Sequence, residues 1–371
     1  MKIKNRVYIT ATSSVSCTGE NDETLFSNVC NGVSGLEQDK NFFLNATPSI
    51  GKLATSSDFY DALYQQCKNI LTAKKMLNFK NTLLVIGSSV GGMQKTEEIF
   101  FRTNSYKDID PDFHNIHTIA TLLNQKFNFY DDISFSTACT SSANALGYAH
   151  EVLSKGLYEN VLVVGVDSLS ATTVGGFLSL GVLSSNTCTP FDVDRDGMNV
   201  AEAIACLFLE TEASSNTAIE VCGVGYSSDA YHMTHPHPDG NGAKEAMQKA
   251  LTCASLKAEK IDYINAHGTG TMANDSAEGN AIASLFSHKP YVSSTKSITG
   301  HTLGAAGALE AILSCFAIQK QMVFGNSLLK TPDNTVLNLP TVSMKSDITY
   351  VLSNSFAFGG NNTSLIFGKV V

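Results

Sequence analysis

An α/β architecture in two similar halves is what this sequence predicts. Three observations carry it: short apolar runs alternate with helical patterns, one strand-to-helix passage occurs twice, and the composition suits a large buried core. The chain has 371 residues, 43% hydrophobic and 16% charged. Such a length holds one large domain or two ordinary ones, and such a composition is globular rather than disordered.

The runs RVYIT (6–10), TLLVIGSS (82–89), NVLVVGV (160–166) and AIACLFLE (203–210) each read as a buried strand. Between them, SANALGYAHEVLSKG (142–156) spaces its apolar residues three and four apart and stops at Gly156, as a helix does. FSTACTSSANALGYAHEVL (135–153) and VSSTKSITGHTLGAAGALEAIL (292–313) both run from a strand through Ser-Thr into a helix of small residues. A glycine-containing loop and a closing strand follow each, in RDGMNVAEAIACLFLE and FAFGGNNTSLIFGKV. Duplication is the simplest account, with residues 1–215 and 216–371 as halves of one compact catalytic unit and the polar stretch TEASSNTAIE (211–220) as the seam. Chance likeness of two strand-helix units is the competing account.

Composition also excludes whole classes of function. A net charge of -9 and a pI near 5.5 argue against nucleic-acid binding, which needs clustered Lys and Arg. The nine cysteines stand singly, with no Cys-x-x-Cys pair, so neither a zinc site nor a disulfide framework is indicated. The start MKIKNRVYITATSSVSC is too polar for a signal-peptide core, and no apolar run is expected to span a bilayer. A cytoplasmic protein in a reducing compartment is the expectation.

Cys139 stands where the strand ISFST hands over to the helix. Helix N-termini carry unpaired N–H groups and a partial positive charge, which stabilise a thiolate and lower its pKa. Cys139 is therefore placed to be a nucleophile, and its own amide to serve as an oxyanion donor. Its neighbours Ala138, Thr140, Ser141 and Ser142 are small enough to admit an acyl group. A buried structural cysteine is the competing reading.

Two further clusters bear on that choice. INAHGTGTMANDSAEGNAI (264–282) ends a strand at His267 and continues through a Gly-Thr loop to Asp275 and Glu278. SSTKSITGHTLGAAGALE (293–310) supplies Lys296, His301 and Glu310. A single such histidine is more often a satisfied core or surface residue; two beside a Lys, acids and a primed cysteine make a catalytic constellation. A cysteine protease would use one histidine backed by Asn or Asp, leaving the second unexplained.

TACTSSANAL, NAHGTGT, STKSITGHTLGAAGALE and SNSFAFGGNN, in this order, resemble the motifs of β-ketoacyl-acyl-carrier-protein synthases, the condensing enzymes of fatty acid and polyketide synthesis. GSSVGG (87–92), PFDVDRDG (190–197) and DAYHMT (229–234) extend the likeness over nearly the whole chain. The resemblance implies a duplicated thiolase-type fold in five αβαβα layers. It also implies decarboxylative Claisen condensation of an acyl thioester with malonyl-acyl carrier protein, without metal or nucleotide, the substrates riding on the carrier's phosphopantetheine.

By the same resemblance, Cys139 takes the acyl chain, and His267 and His301 hold the malonyl thioester and stabilise its enolate. Lys296 with Glu310, and Glu278 with Asp275, orient the histidines. The N–H groups of Cys139 and Phe358 form the oxyanion hole, with the Phe358 ring as gate, and Thr269 and Thr271 bind the pantetheine arm. Implied partners are acyl carrier protein, docked through a basic patch of unknown place, and a second subunit, as homodimer or as heterodimer with a chain-length-factor-like paralogue. The alternatives are a catalytically silent subunit, which would lack Cys139, and a biosynthetic thiolase, which would carry a cysteine near Phe358.

Departures from the pattern qualify these expectations. Residues are missing between positions 33 and 80, and the usual Gly-Phe-Gly-Gly-Thr-Asn loop reads Ala357, Phe358, Gly359, Gly360, Asn361, Asn362. Ala357 is expected to restrict the Phe358 swing. The usual Gly-Glu-Gly reads Ala201, Glu202, Ala203, and Met198 replaces an aromatic as a pliable pocket residue or as plain core. By the resemblance, DPDFHNIHTIATLL (residues 110 onward) is expected where the dimer interface meets the tunnel end, with Phe113 as a tunnel wall of this subunit or of its partner, and His114 and His117 either lining the tunnel or facing solvent. Together with CTSSANAL and YHMTHPHPDGNG, this stretch resembles ketosynthases of bacterial aryl-polyene pathways.

Overall fold

The computed structural model describes residues 5–43 and 45–370; the MKIK start and the last residue of the expected second half lie outside the described residues. Ten strands form the main sheet: β1 (Tyr8–Ser16), β2 (Thr82–Gly87), β3 (Asp131–Phe135), β4 (Asn160–Asp167), β5 (Ala203–Glu210), β6 (Ile219–Ser228), β7 (Tyr263–Asn265), β8 (Tyr291–Ser293), β9 (Tyr350–Phe356) and β10 (Asn361–Lys369). Their order is β8-β7-β9-β10-β6-β1-β5-β4-β2-β3. Reading outward from the centre, β1-β5-β4-β2-β3 and β6-β10-β9-β7-β8 are the same topology written twice. In each half the first strand pairs antiparallel with the last, and the outer strands run parallel. The halves meet where Tyr8 and Ile9 pair with Glu220 and Ile219.

Six helices complete the layers: α1 (Phe59–Lys74), α2 (Thr118–Phe127), α3 (Ser141–Ser154), α4 (Asn241–Ala254), α5 (Met272–Leu285) and α6 (Ala306–Lys320). Alternation within β2 shows why. Leu83 and Val85 face a central core shared with α3 and α6, whereas Leu84 and Ile86 face an outer core with Leu63 of α1 and Leu123 of α2. A strand buried on both faces must be apolar throughout, which is why these runs read as continuous. Ile264 and Ile366 likewise face Met247 of α4 and Ile282 of α5. The result is five layers with α3 and α6 in the middle, a thiolase-type α/β arrangement.

Small residues bring the two central helices close. A Cβ on Gly307 would stand 2.6 Å from the Ala143 nitrogen, and one on Gly165 would stand 2.5 Å from the Ala308 Cβ. The expectation that no apolar run is long enough for a bilayer is corrected here. Leu303–Lys320 reaches 18 residues at mean hydropathy 1.2, but 83% of it is buried inside the protein as the central α6 and its lead-in. Its apolar character serves a layer covered on both sides.

β1 also runs past the expected RVYIT into polar ATSSVS. Those hydroxyls are satisfied inside: Thr12 and Ser14 donate to Asp22, and Ser13 donates to Gln66. Hydrogen-bonded hydroxyls tolerate burial in a strand, so polarity alone did not end it.

Candidate active site

β3, β7 and the β8–α6 connection deliver the three expected reactive side chains to one point. Cys139 lies in the tight turn between β3 and α3, after Ala138 at φ 52°, a left-handed backbone that a side chain rarely adopts. The Ser141 hydroxyl bridges that turn, accepting from the Thr137 N–H and donating to the Ala138 carbonyl. Strain held by such cross-bonds is characteristic of functional turns. The Cys139 sulfur and ring nitrogens of His267 and His301 all lie within 4.8 Å of one another. The imidazoles meet edge-on, with centroids 5.2 Å apart.

Hydrogen bonds fix how each imidazole presents itself. Nδ1 of His301 accepts the Leu303 N–H at 3.2 Å, so the ring proton resides on Nε2. His267 has the Lys296 ammonium 3.5 Å from its Nδ1. Both rings are buried, and burial first, then the charge of Lys296, holds each well below the usual 6.5. They are neutral hydrogen-bond donors rather than cations.

Cys139 corrects one expectation. Burial outweighs the helix terminus and pushes its thiol up to about 11, although the Lys296 charge and the Phe358 N–H draw it back down. A Cys-His-His set is also zinc-ligand chemistry. Here, however, Leu303 occupies the Nδ1 lone pair of His301 and a buried ammonium lies beside His267, an arrangement that repels a dication.

The acids hold backbone rather than rings. Glu278 accepts the N–H groups of His267 and Gly268 and the amide of Asn354, and burial pushes it up to about 7. Asp275 accepts the N–H groups of Phe191, Thr269 and Gly270, tying PFDVDRDG to the Gly-Thr loop. Glu310 pairs with Lys296, whose amino group also donates to the His267 carbonyl at 2.6 Å. The expected ring orientation by Asp275 and Glu278 is thus replaced by anchoring of the segments that carry the rings.

Cys139, His267 and His301 open onto a cavity of about 900 Å³. Met198, Thr269, Thr271 and Phe358 line it, and the hydroxyls of the two threonines lie 2.9 Å apart. Phe358 is half-buried, with its ring centroid 6.1 Å from that of Phe177. Positive φ in this loop falls on Gly359 (85°) and Gly360 (80°), not on Ala357, so alanine adds no strain there. Phe113 does not line the cavity within this chain: its ring packs against Tyr60, centroids 5.7 Å apart. His114 and His117 are exposed on the same segment of the single chain, where the His114 Nδ1 lies 2.8 Å from the Thr96 hydroxyl and the His117 Nδ1 lies 3.6 Å from Asp132.

Asp167, Asn354 and Asn361 were not singled out from the sequence. Asp167 is buried and accepts from Ser88, Ser89, Val90 and Gly304, binding GSSVGG to the turn that leads into α6. An acid ending the apolar run of β4 was its only signal. The Ala201 methyl lies against Gly51 and Gly300, where a Cβ on either glycine would stand 2.7 or 2.6 Å from it, and the Ala201 N–H donates to the His301 carbonyl.

Comparison with known proteins agrees with this geometry. Residues 59–215 match the beta-ketoacyl synthase N-terminal domain and residues 218–328 the C-terminal domain. The chain belongs to the β-ketoacyl synthase family. A 3-oxoacyl-[acyl-carrier-protein] synthase 2 from Coxiella burnetii is 32% identical over 99% of both chains. A ketosynthase solved in complex with its chain length factor, from Xenorhabdus doucetiae, superposes with a TM-score of 0.90 at 31% identity, covering 99% of this chain and 98% of that one. A type II PKS ketosynthase bound to its acyl-carrier protein superposes at 0.88 with 26% identity, covering 99% and 100%. This β-ketoacyl synthase therefore shares fold and full length with enzymes that extend acyl chains.

Proposed function

We propose that the chain catalyses decarboxylative condensation of a Cys139-bound acyl group with malonyl-acyl carrier protein in fatty acid or polyketide elongation. The observation that carries it is the convergence of one thiol and two buried imidazoles within 4.8 Å on a cavity of about 900 Å³.

Cys139 loses its proton as its sulfur attacks the carrier thioester; the new C–S bond forms, and the pantetheine sulfur leaves and takes up a proton. Malonyl carrier follows through the same mouth, where Thr269 and Thr271 meet the arm. The bond from its α-carbon to the carboxylate breaks, CO2 departs, and the electron pair spreads onto the thioester oxygen. N–H donors on His267 and His301 aim at that oxygen, and preorganised donors in a water-poor site are worth most where charge develops. The carbanion then attacks the acyl-Cys139 carbonyl, whose oxyanion faces the N–H groups of Cys139 and Phe358; the C–Sγ bond breaks, the electron pair stays on Sγ, which regains a proton, and the extended chain leaves on the carrier. Metal and nucleotide have no part in this reading.

Similarity to a ketosynthase paired with its chain length factor supports a two-subunit assembly with such a paralogue, and the quoted motifs support an aryl-polyene pathway; a cytoplasmic location is part of the same reading and rests on the sequence alone. The test is intact mass of the chain after incubation with saturated and polyunsaturated acyl-carrier thioesters, alone and beside a paralogue. An adduct lost in Cys139→Ser supports the enzyme, and its preferred acyl group chooses the pathway; no adduct in either setting favours a silent subunit.

A further inference from the structure

Asn361 sits where β10 begins, directly after the loop that carries Phe358, and its side chain reaches across to the other half of the protein. Its Oδ1 accepts from the Thr140 hydroxyl at 2.8 Å and from the Asn144 amide at 3.0 Å. Thr140 directly follows the nucleophile and Asn144 lies one turn along α3, where it is itself held by Thr137 and Thr363. The Asn361 carbonyl meanwhile accepts the Ala357 N–H at 2.8 Å and closes the loop. The far side of that loop is pinned as well: the Gly359 N–H donates to the Met233 carbonyl, and the Asp229 N–H donates to the Gly360 carbonyl. Phe358 is thus suspended between two anchors.

We propose that Asn361 is a positioning residue for the oxyanion hole, clamping the Phe358 loop of the second half to the nucleophile turn of the first. The two oxyanion donors lie on different halves, so no local segment fixes the distance between them. Asn361 bonds the nucleophile turn through its side chain and closes the Phe358 loop through its carbonyl, while Thr363, two residues further along β10, adds a second bond to Asn144. An asparagine does this because one amide oxygen has two lone pairs and receives two donors at once. Displacement of a donor by about 1 Å slows acyl transfer by roughly a hundredfold.

This inference rests on the ketosynthase reading, and one experiment separates the two. Acylation of Cys139 by an acyl-carrier thioester passes through a tetrahedral oxyanion, whereas alkylation of the same sulfur by iodoacetamide does not. In Asn361→Ala, acylation should fall by roughly a hundredfold while the alkylation rate stays within about twofold of the native protein. Thr140→Val, which keeps the shape and removes one donor to the clamp, should show the same split, and the double variant should lose little more than either single one. Unchanged acylation in Asn361→Ala, or equal loss of acylation and alkylation in both single variants, overturns the clamp. Absence of any acyl adduct on the native protein instead overturns the ketosynthase reading, and this inference with it.

Discussion

The amino group of Lys296 donates to the carbonyl of His267 at 2.6 Å while pairing with Glu310, and the two charged side chains are only 1% and 5% exposed. One buried ion pair thus fixes the backbone of one active-site histidine from the helix that follows the other. Removing Glu310 alone leaves an ammonium without its counter-charge in the core. Glu310→Ala should therefore lose roughly 3–5 kcal/mol of stability, measured by urea unfolding. Replacing both partners, with Lys296→Met and Glu310→Leu, should recover most of that stability but not condensation. If the double variant condenses normally, the pair is structural alone.

His301→Ala should slow malonyl decarboxylation by about a hundredfold while acylation of Cys139 changes little, because the imidazole N–H serves the enolate and not the acyl transfer. Single-turnover assays of the two steps decide this. Equal loss in both would contradict the division of roles.

Burial holds His267 and His301 well below 6.5, so both stay neutral in the folded protein as pH drops through that value. Unfolded histidines do take up protons there, and stability consequently declines as pH falls below 6.5 even though the donors survive. In Glu278→Gln, which removes a buried carboxyl held at about 7, decarboxylation rates measured from about pH 8 to about pH 5.5 should show no midpoint near 6.5, while the melting temperature drifts down. A rate midpoint at 6.5 with a constant melting temperature would mean the rings are not shielded.

The buried Cys139 thiol, pushed up to about 11, should be alkylated ever faster as pH rises beyond the 9.0 of an ordinary thiol. Iodoacetamide kinetics against pH, followed by mass at Cys139, test this. A plateau below 9 would show that the helix terminus and Lys296 overcome burial after all.

Gly165→Val should cost roughly 1–3 kcal/mol or more, since its first carbon alone would meet Ala308 at 2.5 Å between a strand and a central helix. Chemical denaturation measures it, and a neutral result would mean that α6 moves aside freely.

What the sequence determined by itself was local. Strands buried on both faces must be apolar throughout, so AIACLFLE could be bounded at Ala203–Glu210 from its letters, and the small-residue helices after Cys139 and His301 were legible for the same reason. The reactive residues were legible too, because thiol, imidazole and ammonium side chains beside glycine-rich turns are scarce and chemically distinctive. Tertiary structure alone decided how their surroundings act. Glu278 and Asp275 were identified as acids near His267, yet only the folded loop shows that they grip backbone N–H groups. Whether the Cys139 turn favours thiolate or thiol depends on how much water the other half excludes, a long-range quantity that no helix-start pattern contains. Asn361, Asp167 and Asn354 stayed silent for the same reason: each bonds to residues far away in the chain, and a polar letter carries no sign of the partner it will meet.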